Sequence, residues 1–318
     1  MRLSVVIPSH NKQPLLARTL AALQQQDPGD ESWEIVVVDD GSTDNTGSFL
    51  AEQATLDARL SVVTPPWNVG RAAARNLGWR AARGRAVLFM DDDILAPDGL
   101  LKAHLELLDQ GREVGTIGPA VTDPTIIDGP HFHYIDSRGV AKLKTGPAPG
   151  KYFVTQNAAV PRWALEDIGG FDEAFSAYGF EDMDIGFRLE DAGVRFQVLP
   201  TPVPLHIHHH TLDDYLEKKR ICGRSSLGQV AKLHPERLEE MRLGLIMDRP
   251  GEVASPVVRG LRWMLGHGPG RLAQVLAGCW PAAGSAPVLP CVYGHVMNAS
   301  VFAAYCQGLS AASGDDDI

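Results

Sequence analysis

Three consecutive aspartates, Asp91-Asp92-Asp93, follow the apolar run Ala86-Val87-Leu88-Phe89-Met90. Adjacent carboxylates repel, and with no basic residue inside the motif one of them would take up a proton unless a cation sat among them. Hard oxygen ligands suit Mg2+ or Mn2+, ions that bridge carboxylate and phosphate oxygens. A second acidic pair, Asp39-Asp40, follows another apolar run, and Ser9-His10-Asn11 follows a third. Glu181-Asp182 opens a stretch of helical spacing. A carboxylate there can cap the helix or take the proton of a reacting hydroxyl. The run His206-Ile207-His208-His209-His210 adds imidazoles, which ligate Mn2+ when neutral. On an extended segment His206, His208 and His210 would share one face and His209 the other.

The elements that must position these groups are legible over residues 1–121. Runs suited to strands occupy Leu3–Ile7, Glu34–Val38, Leu60–Val63 and Ala86–Met90, each followed by a turn and a stretch of helical spacing. Leu15, Leu16, Thr19, Leu20 and Leu23 form one helical face, and Ala72, Leu77 and Ala81 belong to another. Continuous apolar strands alternating with helices predict a mostly parallel, Rossmann-like sheet flanked by helices. Ligands of such sheets bind beyond the C-terminal strand ends, where the polar and acidic clusters fall. Neither GxGxxG nor GxxxxGK[ST] is present, which disfavours a dinucleotide dehydrogenase and a P-loop kinase. Asp123–Gly150, rich in Pro, Gly, His and Asp, reads as an irregular excursion and a candidate loop over the site. Helices are expected at Arg162–Ile168, Glu181–Ala192 and Thr211–Lys232, the last capped by Thr211, and a strand at Val194–Leu199.

Four segments taken together resemble the family 2 glycosyltransferases of GT-A fold. They are VVIPSHNK, EIVVVDDGSTDNT, NVGRAAARNLGWRAARGRAVLFMDDDI and GGFDEAFSAYGFEDMDIGFRL, in family order over roughly residues 3–210. The resemblance implies a donor nucleotide site made of Pro8, Ser9, His10, Asp39, Asp40, Arg71, Arg75, Asn76, Asp91 and Asp92. His10 stands where the family often has Tyr. The family's DxD motif falls on Asp91–Asp93, implying a metal site of Asp93 and Asp91, with His206 and then His208 as added ligands. The ED motif falls on Glu181-Asp182, with Asp182 as the base of an inverting reaction. Mn2+ or Mg2+ is the implied cofactor, and UDP the implied sugar carrier. The implied activity is hexosyl or N-acetylhexosaminyl transfer from a nucleotide sugar to a hydroxyl acceptor, which could be a glycan, a lipid-linked sugar or a small molecule. Such transfer belongs to polysaccharide or glycoconjugate biosynthesis. Arg80, Arg83 and Arg85 are as compatible with a plain surface helix, and Asp184 and Arg188, at i and i+4, with a helix brace.

Composition narrows the classes further. The chain has 318 residues and a formal charge of −10, with 18 basic and 28 acidic residues over 1–211 against 11 of each over 212–318. An acidic front half argues against a nucleic-acid partner. Four cysteines without a CxxC pair point to a reducing compartment. No secretory leader is legible at the N-terminus, so the expected location is cytoplasmic. Residues 1–121 are read as the nucleotide-sugar half, 122–235 as the acceptor and catalytic half, and 236–318 as a helical extension. Leu272–Gly314 holds no charged residue, and His295, Asn298 and Gln307 make its apolar stretch a docking helix rather than a membrane span. That extension is expected to pack on the catalytic domain or on a second subunit, as in a homodimer. Arg259, Arg262 and Trp263 leave peripheral contact with the inner membrane face as the lesser reading. The tail Asp315–Asp317 has no fold context for a second DxD. Two other classes compete: a sugar nucleotidyltransferase, whose glycine-rich signature loop is absent, and a non-catalytic nucleotide-sugar-binding module, disfavoured by the intact Asp91–Asp93 and Glu181-Asp182.

Overall fold

A computed structural model describes residues 1–29, 32–241, 243, 246–247, 255–283 and 286–313. Asp315–Asp317 lies outside these. The strands of the main sheet are β1 (Leu3–Ser9), β2 (Trp33–Asp39), β3 (Leu60–Val63), β4 (Ala86–Phe89), β5 (Val114–Ile117), β6 (Gly146–Ala148), β7 (Ala158–Pro161) and β8 (Arg195–Val198). Their spatial order is β3-β2-β1-β4-β7-β5-β8-β6. β1 runs parallel to β2 and β4, and β2 to β3. β7 is antiparallel to both of its neighbours. The expected α/β architecture with a largely parallel front is therefore present, and each strand predicted over residues 1–121 forms.

Helices α1 (Gln13–Gln24), α2 (Thr46–Leu56), α3 (Arg71–Ala81), α4 (Leu100–Leu108), α6 (Arg162–Ile168) and α7 (Glu181–Asp191) flank or follow these strands. Alternate strand residues point to opposite faces. Leu3, Val5 and Ile7 accordingly pack with Leu16, Leu20 and Leu23 of α1 and Leu100 and Leu101 of α4. Val6, Val87 and Phe89 pack with Trp79 of α3 and Leu165 of α6. Between α4 and the sheet lies a polar anchor inside the core. Thr116 donates to His104 Nδ1 (2.7 Å), and His104 Nε2 donates to the Asn157 amide oxygen (2.8 Å).

The chain divides into two compact units. The first comprises Met1–Ile126, Arg138–Ser176 and Ile185–His208; the second comprises Ile127–Ser137, Ala177–Asp184 and His209–Ile318. The second is helical: α5 (His131–Asp136), α8 (Leu212–Arg224), α9 (Ser226–Leu233), α10 (Pro256–Gly266), α11 (Gly268–Gly278) and α12 (Pro290–Ser313). α12 packs along α8, where Gly223 meets the Tyr305 backbone and Gly308 the Arg220 backbone. A Cβ at either glycine would collide with the opposite backbone, so both are needed for this approach. The polar residues of α12 are used internally: Asn298 accepts from Tyr134 Oη (2.8 Å), and Gln307 accepts from Arg220 Nε (2.9 Å) and donates to the Gly266 carbonyl (2.8 Å). The docking-helix reading holds. No helix among the described residues is long and apolar enough to cross a membrane.

Three expectations are revised. Residues 209–235 group with the C-terminal helices rather than with the sheet, because α8 lies along α12. The single helix expected over Thr211–Lys232 is two. Thr211 caps the first with a reciprocal Thr211–Asp214 pair, but Ser225 leaves helical geometry (φ −126°, ψ −74°), and its hydroxyl bonds back to the Ile221 carbonyl. Asp123–Gly150 is not wholly irregular, since burial of Phe132 and Tyr134 organises α5 there.

His104 carries a pH consequence. It is completely buried, and burial pushes its pKa from 6.5 down to about 4. Above pH 6.5 it is neutral in both states. As pH falls from 6.5 towards 4 the unfolded chain binds a proton that the native chain refuses, so stability falls, by about 3 kcal/mol from this group. Urea midpoints of His104→Gln should be lower at pH 8 and flatter than wild type between pH 6.5 and 4. Parallel curves for the two proteins would contradict this role.

Candidate functional site

The in-register pairing of β1 with β2 sets Ser9 opposite Asp39, and β4 ends beside β1, so the three polar strand ends share one edge of the sheet. Pro8 lies opposite Val38 in the same register. Each polar group beyond that edge has a defined duty. Asp39 Oδ1 accepts from the Ser42 amide (3.2 Å). Asp40 receives the amides of Val69 (2.6 Å) and Gly70 (3.0 Å), one on each carboxylate oxygen. His10 Nδ1 donates to the Asp40 carbonyl (2.8 Å), and Asn11 Oδ1 receives the amides of Thr43 (2.7 Å) and Asp44 (3.2 Å). Asp39 and Asp40 thus shape two loops around an exposed His10.

The aspartate triplet does not lack basic neighbours. Lys12, contributed by the turn between β1 and α1, places Nζ 3.2 Å from Asp92 Oδ1 and 2.7 Å from Asp93 Oδ2. Ser9 Oγ donates to Asp92 Oδ2 (2.7 Å), and Arg75 reaches Asp91 Oδ1 (3.2 Å). The motif itself holds no basic residue, and the cations that face it come from a distant turn and helix. Burial raises the Asp92 carboxyl to about 6 despite Lys12. Burial also opposes ionisation of Asp93, but His206 and Lys12 outweigh it and hold that carboxyl well below the usual range. Lys12, penalised by burial, is raised above the usual lysine value by the two aspartates.

His206 is brought to Asp93 by a small second sheet, in which Leu205–His206 pairs with Ile94–Leu95 and with Val121–Thr122. His206 lies opposite Ile94, and the Ile207 amide bonds the Asp93 carbonyl (2.9 Å). His206 Nε2 is then 3.4 Å from Asp93 Oδ1, a buried oxygen without a hydrogen bond. Adjacent ligands of an octahedral Mg2+ or Mn2+ stand about 3 Å apart. The spacing of the pair would suit a divalent ion, which Asp93 and His206 would hold together. The four-residue set expected from sequence is not assembled, for among the described residues no three His, Cys, Asp or Glu side chains are placed to hold a metal. Asp91 is engaged by Arg75, and the His208 ring centroid lies 6.3 Å from that of His206. Face alternation fails along the histidine run because the strand stops at His206. His209 instead bonds Asp128 (2.7 Å), and His210 is buried, its carbonyl receiving His131 Nε2 (3.1 Å).

Of the expected arginine and asparagine ligands, Arg71 is exposed on the first turn of α3, whereas Arg75 is buried. Asn76 is a bracket rather than a nucleotide contact. Its oxygen accepts from the Phe171 amide and Trp79 Nε1 (both 2.9 Å), and its nitrogen donates to the Phe171 carbonyl (2.9 Å) and Glu173 Oε1 (2.8 Å). At 1% exposure it has nothing left to offer a ligand. Gly170, with φ +85°, sits against the Asn76 oxygen and Trp79, where a side chain would clash. Arg188 donates to the Ile168 (3.3 Å) and Gly170 (2.7 Å) carbonyls, closing the same bracket.

In the second unit Glu181 is buried and Asp182 half-buried, at the N-terminal turn of α7. Phe180 directly before them has φ +67°, a left-handed conformation rare for an aromatic residue and typical of functional turns. Asp184 accepts from His234 Nε2 (2.9 Å) inside this unit. Lys12 and His234 are the functional neighbours that sequence reasoning passed over. For Lys12 a signal existed, a basic residue in the first strand-to-helix turn, whereas the partner of Asp184 lies 50 residues away with none.

A divalent ion held by Asp93 would have to compete with Lys12 for that carboxylate. Lys12→Met should bind Mn2+ about tenfold tighter than wild type without nucleotide, by titration calorimetry, because a neighbouring positive charge is removed. Equal affinities would show that Lys12 does not oppose the ion.

Comparison with known proteins places this geometry. The sequence pattern of glycosyl transferase family 2 matches residues 4–168, and that of the N-terminal domain of galactosyltransferase matches residues 140–210. A mannosyltransferase from Pyrobaculum calidifontis, solved with GDP-Man and Mn2+, superposes with a TM-score of 0.62 at 22% identity, covering 99% of this chain and 88% of its own. S. aureus TarS 1-349 in complex with UDP gives a TM-score of 0.54 at 18% identity, with 99% and 92% covered. These likenesses establish the GT-A fold. Among sequences, the uncharacterized glycosyltransferase YfnE of Bacillus subtilis is 29% identical over 258 residues, covering 66% of this chain and 65% of its own. Validoxylamine A glucosyltransferase of Streptomyces hygroscopicus subsp. limoneus is 30% identical over 230 residues, covering 62% and 49%. The chain thus spans about half to two thirds of the length of these relatives. With more than half of its residues matched by the family pattern, and with β1, β2 and β4 of the matched region ending in the polar groups described above, the chain belongs to glycosyl transferase family 2.

Proposed function

We propose that this protein transfers a sugar from a nucleoside diphosphate-sugar, UDP being the leading carrier, to a hydroxyl acceptor with inversion at the anomeric carbon. The observation that carries the reading is the pairing of buried Asp93 with half-buried His206 beside Lys12, at the edge where β1, β2 and β4 end. That arrangement suits a diphosphate: His206 and Asp93 would hold a divalent ion, while Lys12 and Arg75 supply fixed positive charge. The ion, when bound, acts as a Lewis acid on the leaving diphosphate. Asp39, Asp40 and His10 border the place of the base and ribose. In the transfer, the bond from the anomeric carbon to the diphosphate oxygen breaks as the acceptor oxygen bonds to that carbon. The acceptor's proton passes to Asp182, and the diphosphate leaves with the electron pair.

Asp182→Asn keeps the shape of the side chain and removes its basicity. Turnover should fall about 10²-fold or more with the donor Kd nearly unchanged, read with a panel of UDP- and GDP-sugars. Retained turnover would remove Asp182 as the base, and a product of retained anomeric configuration by NMR would remove the inverting reaction.

His206→Ala should raise the Mn2+ concentration needed for half-maximal activity, with only partial loss at saturation because Asp93 and the diphosphate still hold the ion. His209→Ala, which removes contacts with Asp128 and Phe132, should leave the Mn2+ curve where it is. Coincident curves for all three proteins would rule out the metal role of His206. Excess chelator should weaken UDP binding in wild type, and unchanged affinity would count against an ion in the donor site.

A further inference from the structure

The second unit carries a helix whose exposed side is more apolar than its packed side. On α10, Val257, Leu261 and Met264 fall at i, i+4 and i+7 and form one stripe, at 81%, 37% and 44% exposure, with Trp263 at 52% beside them. The packed side presents Val258, Arg262 and Leu265, and Leu265 lies against the cluster containing Leu227 and Cys306. α11 repeats the inversion: Gly270, Ala273 and Ala277 face inward, while Leu272, Val275 and Leu276 are exposed. A helix of a water-soluble unit ordinarily shows the opposite arrangement, and clustered exposed large apolar side chains mark an interaction surface.

Charge selects the partner. The chain carries −10 overall, yet residues 253–314 contain no Asp or Glu, while Arg259, Arg262 and Arg271 lie on these two helices. Arg259 and Arg271 are exposed. An apolar face edged by cations and free of carboxylates matches the surface of an anionic bilayer, where apolar side chains reach the acyl boundary and arginines meet the headgroups. Trp263, stacked on His267 at 5.0 Å between ring centroids, is the residue type that favours the headgroup level. With no described helix able to span a membrane, the mode is lying on the surface. We infer that α10, with α11 behind it, docks this protein onto anionic lipid bilayers. This binding is independent of the transfer reaction proposed above.

The test is flotation of the full chain with vesicles of phosphatidylcholine alone and of phosphatidylcholine with 30% phosphatidylglycerol, at low and at 0.5 M salt. The expected result is binding to the anionic vesicles about tenfold tighter than to the neutral ones, weakened by salt. Leu261→Glu/Met264→Glu should abolish binding, and since both side chains are exposed its melting temperature should match wild type. Arg259→Glu, a milder change, should reduce binding to anionic vesicles several-fold. Wild-type protein that stays unbound with both vesicles overturns the proposal, as does binding that either variant leaves unchanged. A wild-type dimer by light scattering that the double variant makes monomeric, without vesicle binding, also overturns it and assigns the face to a second copy of this chain.

Discussion

The site depends on keeping negative charge buried at the end of a parallel sheet. Asp92 and Asp93 are about 95% shielded from solvent, and a carboxylate in that position is unfavourable without a nearby cation or hydrogen-bond donor. Lys12 reaches in from the first turn, Ser9 from the first strand and His206 from a second small sheet. None of these groups would stand near the others without the parallel register of β1, β2 and β4. The fold and the electrostatics are therefore one problem: the strands must end together for the charges to be balanced, and the balanced charges hold the strand ends together.

The cluster is balanced by mobile and immobile partners of different kinds. Lys12 is a single ammonium on a flexible stem, a third exposed, that pairs with both buried carboxylates. His206 is tied by backbone pairing to Ile94 and to the Asp93 carbonyl, so its ring stays beside Asp93. Two basic groups of different stiffness therefore face the same carboxylate, one on each of its oxygens.

Much of this was legible in the amino-acid order, and the remainder has physical causes. Strands buried on both faces announce themselves as unbroken apolar runs, so β1 to β4 and the acidic groups at their ends could be read directly. The same reading could not place Lys12 on Asp93, because a side-chain pair 81 residues apart has no local period. It misjudged the histidines for a related reason: alternation applies only while a strand lasts, and this one ends at His206. Asn76 reads as a ligand on the motif resemblance alone. Three of its four bonds, those to Phe171 and Glu173, depend on a loop nearly a hundred residues away. α5 was hidden because its buried aromatic pair sits in a segment dominated by turn residues.

The Asn76 bracket has a consequence for how such a protein could change its substrate. Every polar atom of that side chain is committed to the chain itself, and Gly170 beside it has no room for a Cβ. This part of the molecule is indifferent to which sugar or base is present and intolerant of substitution. The loops carrying His10, Asn11 and Asn68–Gly70 are held differently, by backbone amides on the Asp40 and Asn11 side chains, while the His10 ring bonds the Asp40 carbonyl and stays exposed. Under the proposed transfer, donor preference would be changed at the exposed residues of this edge, while the Asn76 frame beneath stays the same.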